Sequence, residues 1–309
     1  MTGSAQRSGV LVVDKVAGMT SFDVVAVVRR RLGIRRVGHA GTLDPAAVGV
    51  LPLLIGEATK LTPYLTGQDK EYVVTVRFGL TTDTQDIGGR VLSEAPVPPF
   101  SREDLERLCR GFVGVVTQIP PMYSAVHHAG RRLYELARQG VEVDREPRQV
   151  TIHAIHVETV ETPRAVLRVV CGKGTYVRVL AADLGRELGS GGVVEHLLRS
   201  RVGPFELASA VPWAAVTGES AEALWQRVLP ADAALGGWPV VRLGPGGMEG
   251  FTHGQPVQLA PAASGAGLVR VHDMHGTLIG IGELVAGGGK LQPVRILHAD
   301  RPGTRVLPA

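Results

Sequence analysis

Apolar and polar positions alternate along this chain in short runs of unlike period. "VLVVDK", Val10 to Lys15, is an unbroken apolar stretch closed by charge, and it predicts a buried strand. "TSFDVVAVVRRRLG" has helical spacing: Val24, Val25, Val28 and Leu32 share one face, with the arginines on the other face and at the C-terminal end. Thr20 or Ser21 can accept backbone N–H bonds at its start, Asp23 favours the first turn, and Gly33 stops it. "EATKLTPYL" predicts a short helix interrupted by Pro63. "KEYVVTVRFG" has period two, with Tyr72, Val74, Val76 and Phe78 on one face and Glu71, Val73, Thr75 and Arg77 on the other.

Further on, "TDTQDIGG" reads as a loop of Asx-type turns. "SREDLERLCRG" reads as a helix with a Ser101–Asp104 capping box and Gly111 as its stop. "GRRLYELARQG" predicts another helix ending at Gly140, and Val150 to Cys171 holds β-rich runs. A helix from about Tyr176 to Leu188 carries Val177, Leu180, Leu184 and Leu188 as its apolar stripe, and "LLRSRVGPFEL" reads as a closing strand. An Ala-rich connector follows. Beyond Trp238, short Val/Leu/Ile runs between glycines predict a small β-rich module.

Composition adds little to this picture and charge somewhat more. A chain of 309 residues, 44% hydrophobic and 20% charged, is long enough for a large core and for two domains. The 40 glycines and 20 prolines imply many turns, without a collagen-like period. A net charge of +4 permits a polyanionic partner without demanding one. Five arginines between Arg29 and Arg36, with no acid among them, fit either a solvated helix end or a phosphate-contacting patch. Cys109 and Cys171 are too few for a four-thiolate site and do not form a secreted disulfide framework. The N-terminus lacks an apolar signal region and no run reaches membrane-spanning length, so a cytoplasmic protein with no membrane partner is expected.

Several short patterns carry no chemistry alone. Gly172-Lys173-Gly174-Thr175 suggests a phosphate cradle, yet Leu167 and Gly174 stand where a Walker loop needs glycine and Ser or Thr. A weaker anion site at a glycine-rich helix start, with charge from Lys173, survives. His153 and His156 would face opposite sides of a strand, and Asp83 and Asp86 lack the carboxylate count of a calcium loop. No metal is expected. Denser is "GHAGTLDPAAVGVLPLLIGEATK": Gly38, Gly41 and Gly49 allow close backbone approach, and Pro45 pushes Asp44 toward an extended conformation. On local physics this is either an ordered Asx turn or a loop built to present one carboxylate.

That segment resembles the signature of the TruB-type tRNA pseudouridine-55 synthases. The resemblance continues through "KEYVVTVRFGLTTDTQDIGG", "QIPPMYSAVHHAGRRLYELARQGVEVDREPRQVTI" and "GKGTYVRVLAADLGRELG", in order from about Val10 to Phe205. It implies an α+β fold with a mixed, largely antiparallel sheet flanked by helices. A catalytic domain over residues 1–236 would carry an RNA-clamping insertion at about 122–150. A PUA-like RNA-binding domain would span 237–309. It implies Asp44 as the catalytic aspartate, Tyr72 as the tyrosine that stacks on the target base and accepts a proton, and Arg178 as the arginine paired with Asp44. Asp86 would be a second acid in that arginine's network, and His39 would help keep the base out of its stack. Lys15 and Tyr176 match further motif positions, while Val16 and Leu198 depart from the family's usual proline and arginine.

The implied reaction is isomerisation of uridine to pseudouridine, without cofactor, on the T-arm of tRNA, by a monomer needing no guide RNA. No water enters, so the two carboxylates of a glycosidase are unnecessary. One carboxylate acts as base or nucleophile at the sugar and a second group moves a proton. Burial opposes an ionised aspartate and a facing guanidinium offsets that. The uridine must be flipped from its stack, at a cost recovered from backbone contacts. Candidates for those contacts are Arg29 to Arg36, Arg131, Arg132, Arg199 and Arg201, which together imply a salt-dependent affinity. An RNA-folding chaperone and a guide-RNA-dependent subunit are the alternatives.

Overall fold

The computed structural model describes residues 7–259, 266–285 and 289–297. The chain begins with β1 (Gly9–Lys15), α1 (Ser21–Leu32), β2 (Val37–His39) and β3 (Val48–Ile55). Next come α2 (Thr62–Thr66), β4 (Lys70–Phe78), β5 (Leu80–Thr82), β6 (Val91–Glu94), α3 (Arg102–Arg110) and β7 (Gly114–Gln118). A small excursion holds β8 (His127–His128), β9 (Arg131–Arg132) and α4 (Leu133–Arg138). The long hairpin β10 (Arg148–Glu161) and β11 (Arg164–Cys171) leads into α5 (Val177–Glu187) and β12 (Gly192–Val202). Short elements β13 (Phe205–Glu206), β14 (Val211–Pro212), α6 (Trp213–Gly218) and α7 (Ala221–Gln226) follow.

These strands build one mixed sheet in the order β14-β1-β3-β12-β4-β11-β10-β7, with β2 added on β3 and β13 on β12. Only the β1–β14 and β3–β12 pairs in it are parallel. Both faces of β1 are covered: Leu11 and Val13 join the larger core with α1, while Val10 and Val12 join a second cluster with Leu61, Leu65 and Phe205. This is why "VLVV" shows no polar alternation. In β4, by contrast, burial alternates as expected, with Tyr72, Val74, Val76 and Phe78 inward.

Both anticipated capping boxes form, Thr20 with Asp23 and Ser101 with Asp104, and Gly33 ends α1 in the left-handed region. Three expectations shift. Pro63 lies in the first turn of α2, where its missing N–H costs nothing, rather than breaking a helix. The segment at 130–140 opens with strand pairing at Arg131 and Arg132, so its helix starts only at Leu133. The supposed closing strand, β12, is central, parallel to β3 and antiparallel to β4.

A second, five-stranded sheet comprises β15 (Val240–Arg242), β16 (Val257–Gln258), β17 (Gly267–His272), β18 (Leu278–Leu284) and β19 (Lys290–Ile296), with α8 (Pro245–Thr252) packed on it. Phe251, Val269, Val271, Ile279 and Leu291 form its core. Asp232 ties it to the main body, accepting from Arg270 at 2.9 Å and meeting His272 at 3.0 Å.

Candidate active site

Asp44 sits on the loop between β2 and β3, which is fixed from two sides. From β1, the Lys15 ammonium donates to the carbonyls of Val16 (2.9 Å), Met19 (2.8 Å) and Pro45 (3.2 Å). With valine at position 16, these three bonds order the turn. Ser21, first residue of α1, accepts from Leu43 N–H at 2.9 Å and donates to its carbonyl at 3.2 Å. From β12, Arg199 donates to Val50 (2.8 Å), Thr42 (3.3 Å) and Gly41 (3.1 Å) carbonyls. Lys15 and Arg199 are both buried, and burial pulls the ammonium down to about 8.

The loop presents the Asp44 carboxylate, 39% exposed, to Arg178, whose side chain is 5% exposed. Arg178 enters from the first turn of α5 and donates Nε to Asp44 Oδ2 at 2.8 Å. Its other nitrogens donate to the Thr84 carbonyl at 2.9 Å and the Tyr123 carbonyl at 2.8 Å. A guanidinium bound on three sides cannot swing away, so the ion pair is a fixed feature. A small cleft opens beside it, lined by Asp44, Ala47, Ile87, Arg178, Val194 and Leu197.

Asp86 stands differently from its expected place in the arginine's network. Its carboxylate accepts from Thr84 Oγ1 (2.8 Å) and the Gly88 N–H (3.1 Å), closing the loop that offers the Thr84 carbonyl. It makes no hydrogen bond to Arg178; both line the same cleft. Tyr72 is 8% exposed and lies directly opposite Arg199 across the β4–β12 pair, so the two side chains share a face. Burial pushes its phenol up, with the Arg199 charge working against that. Asp44 is near enough for its charge to bear on Tyr72, Lys15 and Arg199 alike.

The remaining candidates divide by exposure. His39 is half-buried; burial, then Arg199 and Arg132, hold its imidazole below the usual range and therefore neutral. Tyr176 caps α5, its N–H donating to Gln118 Oε1 at 2.9 Å while Gln118 Nε2 donates to its carbonyl at 3.2 Å. Arg131 and Lys173 are exposed, and Arg132 and Arg201 are partly so. Arg199 is not: as a phosphate contact it is a misassignment, because a side chain 1% exposed with its nitrogens on carbonyls cannot meet RNA. Lys15 likewise holds backbone rather than substrate. Of the arginines at 29–36, Arg29 donates to Val37 O at 2.7 Å, Arg31 to the Glu219 carbonyl, and Arg36 to Glu57 at 2.6 Å. Arg30 and Arg35 stay exposed.

The site contacts of Ser21, Thr84, Gln118 and Tyr123 escape a sequence reading, since each acts through backbone groups or on them. The signal that could have found Arg199 is its register opposite Tyr72, which requires the strand order.

Family comparisons bear on this geometry along nearly the whole chain. The TruB family pseudouridylate synthase N-terminal domain matches residues 29–177. The tRNA pseudouridylate synthase B C-terminal domain matches 178–236, and the pseudouridine synthase II TruB C-terminal domain matches 239–297. A tRNA pseudouridine synthase B from Stutzerimonas stutzeri is 44% identical over 297 residues, 95% of this chain and 96% of that one. The chain belongs to the TruB family. A Pseudomonas aeruginosa relative of the same name is 45% identical over 296 residues, covering 94% and 96%. One from Moorella thermoacetica is 48% identical over 237 residues, covering 75% and 78%.

Solved structures show that the TruB-family chain shares its fold more widely. The crystal structure of a Cbf5–Nop10–Gar1 complex superposes with a TM-score of 0.72 at 24% identity, covering 96% of this chain and 86% of that one. An H/ACA RNP bound to a substrate RNA containing 2′-deoxyuridine gives 0.71 at 22%, covering 95% and 86%.

Proposed function

We propose that this chain isomerises uridine to pseudouridine at position 55 in the T-loop of tRNA, as an enzyme that needs no guide RNA. The observation that carries the reading is the Asp44–Arg178 pair at 2.8 Å, one carboxylate offered at a cleft by a loop held from both sides. The reaction breaks N1–C1′, turns the uracil and forms C5–C1′. The C5 proton leaves and N1 takes one up, so nothing is gained or lost overall. Asp44 acts at the sugar, either attacking C1′ or removing the C2′ proton; both require the carboxylate that Arg178 steadies.

Tyr72, 8% exposed on the inward face of β4, is the ring proposed to stack on the extruded uracil. Stacking needs only the neutral phenol that burial favours, whereas accepting the C5 proton requires the hydroxyl to pass its own proton on. Val194 and Leu197 give the cleft an apolar wall that keeps water from the detached base. A neutral His39 can occupy the place the base leaves without carrying charge into the stack.

Flipping costs a few kcal/mol, recovered from contacts to the RNA backbone. Arg131, Arg132, Lys173 and Arg201 are the cations positioned at the surface for it. The insertion at 122–150 has a small core of its own, Met122, Leu133 and Leu136, which suits a clamp that folds as a unit on the T-arm. That insertion favours stand-alone action, and the β-rich module whose strands run from Val240 to Ile296 would add RNA contacts as a PUA-like domain, residues 298–309 of the expected domain lying outside the described residues. The relatives, tRNA pseudouridine synthases B, support tRNA as the substrate class.

The test uses an unmodified tRNA transcript and the purified chain alone. Carbodiimide treatment and primer extension should show a new stop one nucleotide 3′ of position 55, the stop of an adduct on residue 55, and none on a transcript with cytidine there. A stop elsewhere, or only when a second RNA is added, contradicts the reading.

A further inference from the structure

Phe22 stands out on the surface. It is the second residue of α1, lies off the Val24–Val25–Val28–Leu32 stripe, and is 60% exposed. It is the one aromatic among the exposed large hydrophobic side chains of the described residues. Its neighbours Thr20 and Asp23 are polar and exposed, and the Asp23 carboxylate is taken by Thr20 in the capping box. A docked protein would need more apolar area than one ring supplies.

The ring nevertheless has a specific neighbour. It stands edge-on to His39, with centroids 5.6 Å apart and an interplanar angle of 87°. The His39 Nδ1 is buried without a hydrogen-bond partner, so the imidazole is held by packing more than by polar bonds. Arg132, from the β8–β9 hairpin, is near enough for its charge to press on His39. Phe22 from α1 and His39 from β2 thus meet ring to ring, with Phe22 largely open to solvent and the charge of Arg132 felt at the imidazole. An aromatic face accepts any base by stacking, and a cation beside it suits the attached phosphate.

We propose that Phe22, backed by His39, is a stacking subsite for an unstacked RNA base next to the target uridine. It is separate from the cleft at Asp44 and Arg178 that would take the uracil itself. The inference rests on the RNA-modifying reading given above and deepens it by locating a second nucleotide.

The experiment uses the full chain and a tRNA transcript carrying 2-aminopurine at the nucleotide 5′ or 3′ of the target uridine. Wild-type protein should quench the emission at one of these sites. Phe22→Ala should lose that quench and weaken tRNA affinity roughly tenfold, as removal of one base–aromatic stack does. Phe22→Trp should retain both, and Phe22→Leu, apolar but without a π face, should behave like the alanine variant. All variants should melt with the wild type, since the side chain is mostly outside the core. Wild-type quench and affinity in Phe22→Ala, with normal isomerisation, would overturn the subsite alone; no isomerisation by the wild-type protein would instead overturn the function it rests on. Loss of affinity in Phe22→Ala with Phe22→Leu unaffected would assign the residue to apolar packing and also overturn stacking.

Discussion

Arg199 and Tyr72 belong together at the residue scale. A guanidinium with its nitrogens on the carbonyls of Gly41, Thr42 and Val50 fixes the Asp44 loop, and it stands opposite Tyr72 in the β4–β12 register. The proposed roles of Tyr72 can therefore be separated. Tyr72→Phe keeps the stacking face and removes the hydroxyl. The variant should bind tRNA within a few-fold of wild type, while its single-turnover rate falls by about 10²–10⁴-fold, the usual contribution of a positioned proton-transfer group. Rapid-quench assays with filter binding read both numbers, and an unchanged rate would remove the hydroxyl from the chemistry. Asp44 and Arg178 stand out in the sequence only through a long chain of family motifs. Charge alone suggests an RNA contact for Arg199, and burial of an arginine cannot be read from its neighbours in sequence.

At the scale of elements, the active-site loop depends on the junction of β3 with β12. Gly49 has φ +101°, and a Cβ there would lie 2.4 Å from the Arg199 carbonyl. No side chain fits without moving the strand that carries Arg199. Gly49→Ala should destabilise the chain by about 2–3 kcal/mol, the scale of a strained backbone site. A lowered urea midpoint with unchanged slope checks this, and a wild-type midpoint would show that the junction yields. Elements set by local chemistry were legible: the capping boxes at Thr20 and Ser101 lie within four residues, and the period of β4 is its own. What depended on distant pairing was not. The apolar residues of β12 fit an edge or a centre equally well, and only β3 and β4 on its two sides decide.

Over the whole molecule, buried cations beneath the site set a pH dependence of stability. Lys70 is buried, donates to the Thr66 and Gln68 carbonyls at 2.6 and 2.5 Å, and is pulled down to about 8 by burial and then by Arg199. An unfolded lysine titrates near 10.4. Below pH 8 both states carry the charge, so the folded chain bears the full desolvation cost. Between about 8 and 10.5 the unfolded chain holds the extra proton, so this group's contribution to stability rises with pH. Urea titrations from pH 7.5 to 10 should show that rise in wild type and a smaller one in Lys70→Met, with Lys15 supplying the remainder. Equal slopes would place the Lys70 proton elsewhere.

The two sheets share this frame, with Asp232 and Lys60 joining them through Arg270, His272 and the Ile296 carbonyl. The proposed reaction converges on the single carboxylate that Arg178 holds. The most direct measurement is tritium release from a tRNA transcript labelled at C5 of uridine, under single turnover, with wild type and Asp44→Asn compared at saturating protein. That substitution would keep the shape of the loop and remove the charge. Wild type should release one equivalent from position 55, and the variant, still binding tRNA, should release none above background. Release by Asp44→Asn at the wild-type rate would contradict the account.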